Sequence, residues 1–94
     1  MNIKIAIVDD NSFLIKTVQE KLSFFEDFSL KFTAENGLDL IEKHEKNHNV
    51  DLILMDIEMP KMNGIEATGF VKQKYPQIKI IMLTVFDNDE NIFN

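Results

Sequence analysis

Four short apolar runs constrain this chain most: IKIAIV from residue 3, the alternating SLKFTAE from residue 29, LILM from residue 52 and IKIIML from residue 78. A helix-length segment separates each run from the next. Strands that alternate with helices cannot pair as hairpins. They line up in parallel, each crossover passing over one face of the sheet in the right-handed sense. With no internal repeat and no low-complexity linker in 94 residues, the pattern predicts a single small α/β domain.

The segments fill in as follows. Residues 3–8 end at Asp9 and Asp10, and Asn11 or Asp10 can cap the next helix. Leu14, Val18, Leu22 and Phe25 then recur at helical spacing through NSFLIKTVQEKLSFF. In SLKFTAE, Leu30, Phe32 and Ala34 share one face, against Lys31, Thr33 and Glu35 on the other, which predicts a half-exposed edge strand. Asn36-Gly37 opens a second helix, LDLIEKHEKNH, with Leu38, Leu40 and Ile41 pointing inward. Val50 to Met55 is apolar after Asp51, as expected of a strand covered on both faces. A loop through Pro60 and Gly64 leads into IEATGFVKQKY, which Pro76 ends.

Residues 78–83 form the fourth strand, followed by Thr84. Asp87 or Asn88 begins another helix, with Asp89 and Glu90 suited to its N-terminal dipole. The fourth strand is as apolar as an interior one, yet no strand follows it to lie alongside. The expectation is that residues 1–94 are a domain incomplete at its C-terminus. Otherwise another molecule covers that edge, self-association included.

Composition removes several functional classes. Sixteen acids against ten bases give a net charge of −6, unsuited to direct nucleic-acid binding, which needs a basic patch. Without cysteine there is neither a disulfide nor a thiolate metal site. No apolar run approaches the ~20 residues of a membrane span, and MNIKIAIVDD lacks a signal-peptide pattern, so a soluble cytoplasmic protein with no membrane partner is expected.

The acids themselves are oddly placed. In LILMDIEMPKMNG, residues 52–64, an apolar run gives way to Asp56 and Glu58. A carboxylate among apolar neighbours is costly unless paired or bound to a metal. Open parallel sheets bind ligands beyond the carboxyl ends of their strands, where Asp9, Asp10, Asp56 and Thr84 all fall. In the strand order 2-1-3-4 the first and third strands are neighbours, which brings Asp10 and Asp56 together. Two carboxylates ~4 Å apart repel by roughly 4 kcal/mol at an effective dielectric of 20. A hard cation with oxygen ligands, Mg2+ above all, answers that repulsion.

The ordered blocks IAIVDD, LILMDIEMPKMNGIE and IIMLT resemble those of response-regulator receiver domains, the phosphoacceptor modules of two-component signalling, over essentially the whole chain. The resemblance implies a flavodoxin-like fold in which Asp56 accepts a phosphoryl group. It implies that Asp9, Asp10, Asp56 and the backbone carbonyl of Glu58 hold Mg2+, and that Thr84 contacts the phosphoryl group and moves with it. The implied donor is a phosphohistidine on a histidine kinase or phosphotransfer protein. The module is then a phosphoacceptor that assists its own modification, not a turnover enzyme. TVFDNDENIF is similar to receivers joined to DNA-binding output domains, which would lie outside these residues. Such receivers carry a lysine at the end of a fifth strand, and no lysine follows Thr84 here.

Three other readings compete. HEKNH, residues 44–48, formally matches the H-E-x-x-H zinc-peptidase pattern, but it sits in a polar helix end expected to leave both histidines solvated. A non-phosphorylated interaction module on the same fold would use the acids for stability alone. Flavin binding is disfavoured because DDNSFL offers acids where a phosphate needs amides.

Overall fold

A computed structural model describes residues 2–47 and 49–83. They form β1 (Ile3–Val8), α1 (Ser12–Leu22), β2 (Phe28–Ala34), α2 (Gly37–Lys46), β3 (Leu52–Asp56), α3 (Gly64–Lys74) and β4 (Lys79–Leu83). The four strands make one parallel sheet in the order β2-β1-β3-β4. The parallel sheet is the one expected from the alternation of apolar runs and helices, its flavodoxin-like order is the one the resemblance implies, and β2 is at an edge as expected. Thr84, the helix expected from Asp87 or Asn88, and His48 lie outside the described residues.

The main core lies between the sheet and the α2–α3 layer. Ala6 and Val8, Ala34, Ile53 and Met55 pack there with Leu40 of α2, Ala67 and Val71 of α3, Val50 and Ile78. Each large side chain fully removed from water contributes about 1.5–3 kcal/mol, and the sheet register follows from keeping that set inside. Ile5 and Ile7 alternate with Ala6 and Val8 and are buried as well. The chain reverses direction across the sheet after β2, so right-handed crossovers put α1 on the opposite face from α2 and α3.

The two faces are not equally covered. On β3, Ile53 and Met55 are buried while Leu52 and Leu54 are only half-buried, so that strand is closed on one face and partly open on the other. Ile81 of β4 is 50% exposed. No residue of α1 is fully buried.

Three expectations about individual residues need correction. Phe25 is not part of α1, which stops at Leu22 under the Ser23 cap; it is exposed, its ring set edge-on 5.7 Å from that of Phe28. Leu38 does not point inward: it lies about 200° round α2 from Leu40, which faces the core as expected, together with His44. His44, expected in solvent, is 2% exposed and stacks edge-on against Tyr75 at 4.6 Å. The i, i+4 spacing from Leu40 explains this, since both side chains lie on one stripe of the helix.

Candidate metal centre

The site begins with strand register. Val8 of β1 stands opposite Met55 of β3, so the next residues, Asp9 and Asp56, leave the sheet side by side. Asp56 is still held by the ladder, paired with Leu83 of β4. Its backbone is thus fixed while its side chain reaches the rim.

Asp9 is pinned from two directions. Its N–H donates to Ala34 O at 3.0 Å, and its Oδ1 accepts from Asn11 N at 2.9 Å. Asn11 in turn caps α1, its Oδ1 accepting from Phe13 N and Leu14 N at 3.0 and 3.1 Å. Of the two candidate caps, Asn11 fills the role, leaving Asp10 exposed beside the buried Asp9.

One carboxylate oxygen from each of Asp9, Asp10 and Asp56 lies within 4.8 Å of the other two. Burial pushes the Asp9 carboxyl above its ordinary value; the Asn11 N–H opposes the rise, and the charges of Asp56 and Asp10 add to it. Burial likewise raises Asp56, helped by the charge of Asp10 and opposed by the N–H groups of Ile57 and Glu58. Lys43, which lines a groove of about 410 Å3 together with Asp9 and Asp10, is engaged elsewhere: it donates to Thr33 O at 2.7 Å and pairs with Asp39 at 3.2 Å. Three oxygen donors with no nitrogen or sulfur among them, two of them raised by burial, fit a hard divalent cation such as Mg2+.

The loop after Asp56 is tightly built. Met62 N donates to Pro60 O at 2.7 Å, closing a γ-turn on Lys61, which has a φ of 68°. Gly64 N donates to Ile57 O at 2.7 Å, and a Cβ at Gly64 would collide with the Asp56 carbonyl oxygen. Asn63 and Glu66 form a reciprocal capping box that starts α3. Glu58 is exposed on this loop, next to Asp56.

Of the residues singled out from sequence, the structure brings Asp9, Asp10 and Asp56 together, with Glu58 alongside. His44 is on the α2–α3 side of the sheet, apart from this cluster. Sequence reasoning missed the left-handed Lys61 and the close approach around Gly37. It also passed over the capping box, although the N-x-x-E spacing from Asn63 to Glu66 signals it.

Comparisons with known proteins agree on one family. The family model described as the response regulator receiver domain matches residues 5–94. The chain is 38% identical over 90 residues to the transcriptional regulatory protein DegU of Brevibacillus brevis, covering 96% of this chain and 38% of the relative. It is 40% identical over 94 residues to the response regulator protein VraR of Staphylococcus epidermidis, covering 99% of this chain and 44% of the relative. It therefore spans about two-fifths of the length of these curated relatives. Among solved structures, the response regulator domain of Thermotoga maritima CheB superposes with a TM-score of 0.81 at 33% identity, covering 98% of this chain and 69% of that one. A chain of the CheX-CheY-BeF3-Mg complex from Borrelia burgdorferi gives 0.83 at 26% identity, covering 97% of this chain and 68% of that one.

Proposed function

The chain belongs to the response regulator receiver domain family, and from that premise we propose that it takes a phosphoryl group onto Asp56 from a phosphohistidine and passes the change on as a conformational signal. The observation that carries this reading is the meeting of three carboxylates within 4.8 Å at the carboxyl rim of a flavodoxin-like sheet. Neighbouring parallel strands hold them there against their own repulsion.

Asp56 is the nucleophile. One of its oxygens forms the new bond to phosphorus while the N–P bond of the donor histidine breaks, its electron pair returning to the ring nitrogen. The product on this chain is an acyl phosphate. Bound Mg2+ would supply charge neutralisation for the carboxylate and the phosphoryl oxygens. Asp9 and Asp10 would hold the ion with Asp56 and the Glu58 carbonyl. Fixing Asp56 in the ladder restricts the approach to one direction, and positioning is most of what phosphoryl transfer asks of a protein.

Thr84 is proposed as the hydroxyl that meets the phosphoryl group and carries the switch. A histidine kinase or phosphotransfer protein is the proposed partner, in a cytoplasmic setting, and the module is a phosphoacceptor and not a turnover enzyme. The name transcriptional regulatory protein belongs to the relative. For this chain a DNA-binding output is proposed, carried by sequence outside the 94 residues, as is the lysine absent after Thr84.

Intact mass after incubation with Mg2+ and a small acyl-phosphate donor tests the reading. A gain of one phosphoryl group, absent in Asp56→Asn and absent without Mg2+, is expected. No gain in the parent chain would favour the non-phosphorylated interaction module.

A further inference from the structure

The junction between β2 and α2 supplies no ligand to the acidic site, yet it touches both segments that do. At one end, Ala34 O accepts from Asp9 N at 3.0 Å, on the side of the Asp9–Asp10 pair. Three residues on, Gly37 N donates to Met62 O at 3.0 Å, on the loop that follows Asp56. Between them Asn36 is buried and caps α2, its Oδ1 accepting from Asp39 N at 2.9 Å. Four consecutive residues therefore bridge the two acid-bearing segments.

Gly37 is the tightest point of this bridge. A Cβ there would stand 2.7 Å from Met62 Cγ, 2.7 Å from Met62 O and 2.8 Å from Met62 Cβ, nearer than real Cβ atoms approach. Conformation does not explain the glycine, since no glycine among the described residues has a positive φ. Helix propensity argues for alanine at the first position of a helix. What remains is space: the helix start needs its backbone against the loop. Its N–H, one of the donors a helix leaves unpaired at its N-terminus, is satisfied by the loop carbonyl.

We propose that Gly37 is a positioning residue for the metal site, and that the Ala34–Gly37 junction is a brace holding the loop that carries Glu58, beyond the strand-fixed Asp56, against the segment of the Asp9–Asp10 pair. The proposal rests on the phosphoacceptor reading for what the site is used for, but the brace is a property of the chain itself. The loop it presses on is already in a left-handed turn at Lys61, so displacing Met62 changes the path from Ile57 to Gly64 rather than being absorbed in slack.

The test compares Gly37→Ala with two controls in the full chain. By isothermal titration with Mg2+ alone, Gly37→Ala is expected to bind roughly tenfold or more weakly than the parent, the scale seen when a residue supporting a metal ligand is lost. Leu40→Val trims the buried face of α2 while leaving the Ala34–Gly37 junction residues and both of their backbone hydrogen bonds unaltered, and is expected to lower Tm with unchanged Mg2+ affinity. Gly69→Ala, where a Cβ meets nothing within 4 Å, raises Tm with unchanged affinity. A merely structural Gly37 would follow Leu40→Val, with reduced Tm and parental affinity, and that result would overturn the proposal.

Amide hydrogen exchange on the metal-free parent gives a second readout that needs no variant to fold. The Gly37 and Gly64 amides are expected to open together as one unit. Exchange of Gly64 that is tenfold or more faster than that of Gly37 would also refute the brace. If the parent fails to bind Mg2+, the phosphoacceptor reading falls, while the exchange measurement still decides the brace.

Discussion

β3 has an aspartate near each end, and the two sit in opposite circumstances. Asp51, just before the strand, is knitted into the sheet: its Oδ2 accepts from Lys4 N at 3.0 Å, its N–H donates to Lys4 O at 2.8 Å, and its carbonyl accepts from Lys79 N at 3.1 Å. Asp56, five residues on, meets two more carboxylates and is pushed toward its protonated form by burial and by Asp10. An acid at a strand end is therefore not in itself a sign of function. The sign is an acid whose neighbours make its charge worse. At the amino end the side chain serves the fold, and at the carboxyl rim the fold holds side chains where they would not choose to be.

The largest effect should come from the backbone that does this holding. In Gly64→Ala the new Cβ would run into the Asp56 carbonyl oxygen, with Asp56 C and Ile57 Cα each 3.0 Å away. All three atoms are backbone, so the end of the strand or the start of α3 must shift to admit the Cβ. A loss of about 3 kcal/mol in a denaturant titration is expected, at the upper end for overpacking. A loss below about 0.5 kcal/mol, an ordinary surface effect, would mean that the rim has slack and is not held against the repulsion at all.

Removing the repulsion should do the reverse. Asp56→Asn is expected to stabilise the metal-free chain near neutral pH by about 1–2 kcal/mol, a Coulomb repulsion of ~4 kcal/mol discounted for solvent. The pH dependence carries the sign. Asp9 and Asp56 both have raised values in the folded chain, so folding takes up protons in the window above about pH 4, the ordinary carboxylate value. Their contribution is most favourable below that value and is lost as pH rises through the raised ones. The gap between Asp56→Asn and the parent should therefore widen from acid toward neutral pH. Saturating Mg2+ should close or invert it, because only the parent keeps all three carboxylates of the cluster. A gap that is constant with pH would break the contrast between the two ends of β3.

Much of this was legible before any coordinates. Periodicity gave a parallel sheet, since apolar runs separated by helix-length segments cannot pair as hairpins, the family resemblance implied its flavodoxin-like form, and the acids followed because strand ends share one rim. The errors have physical causes. Leu38 and Leu40 are both expected inward, but two positions on a helix lie about 200° apart, so only one can face the core, and Leu40 takes that place with His44 one turn on. Phe25 continues the helical spacing beyond Leu22, but spacing cannot see Ser23 ending the helix. His44 reads as solvated because histidine is polar, and Tyr75, its ring partner, is 31 positions away in sequence. The brace at Gly37 was invisible for the same reason: an Asn-Gly pair says turn, and only the fold brings Met62 against it.

The smallest effect makes the sharpest control. Asp51→Ala removes one acceptor from the exposed Lys4 N–H, and water can take its place. A loss of about 0.5–1 kcal/mol is expected, within the range for a single hydrogen bond, with no change in Mg2+ affinity. The sign matters more than the size. The chain carries a net charge of −6, so removal of any acid relieves some general repulsion. If relief of that kind explained the gain in Asp56→Asn, Asp51→Ala would be stabilising too, at the other end of the same strand. Opposite signs in one set of thermal melts would locate the repulsion at the carboxyl rim, whereas equal signs would assign it to the chain's overall charge.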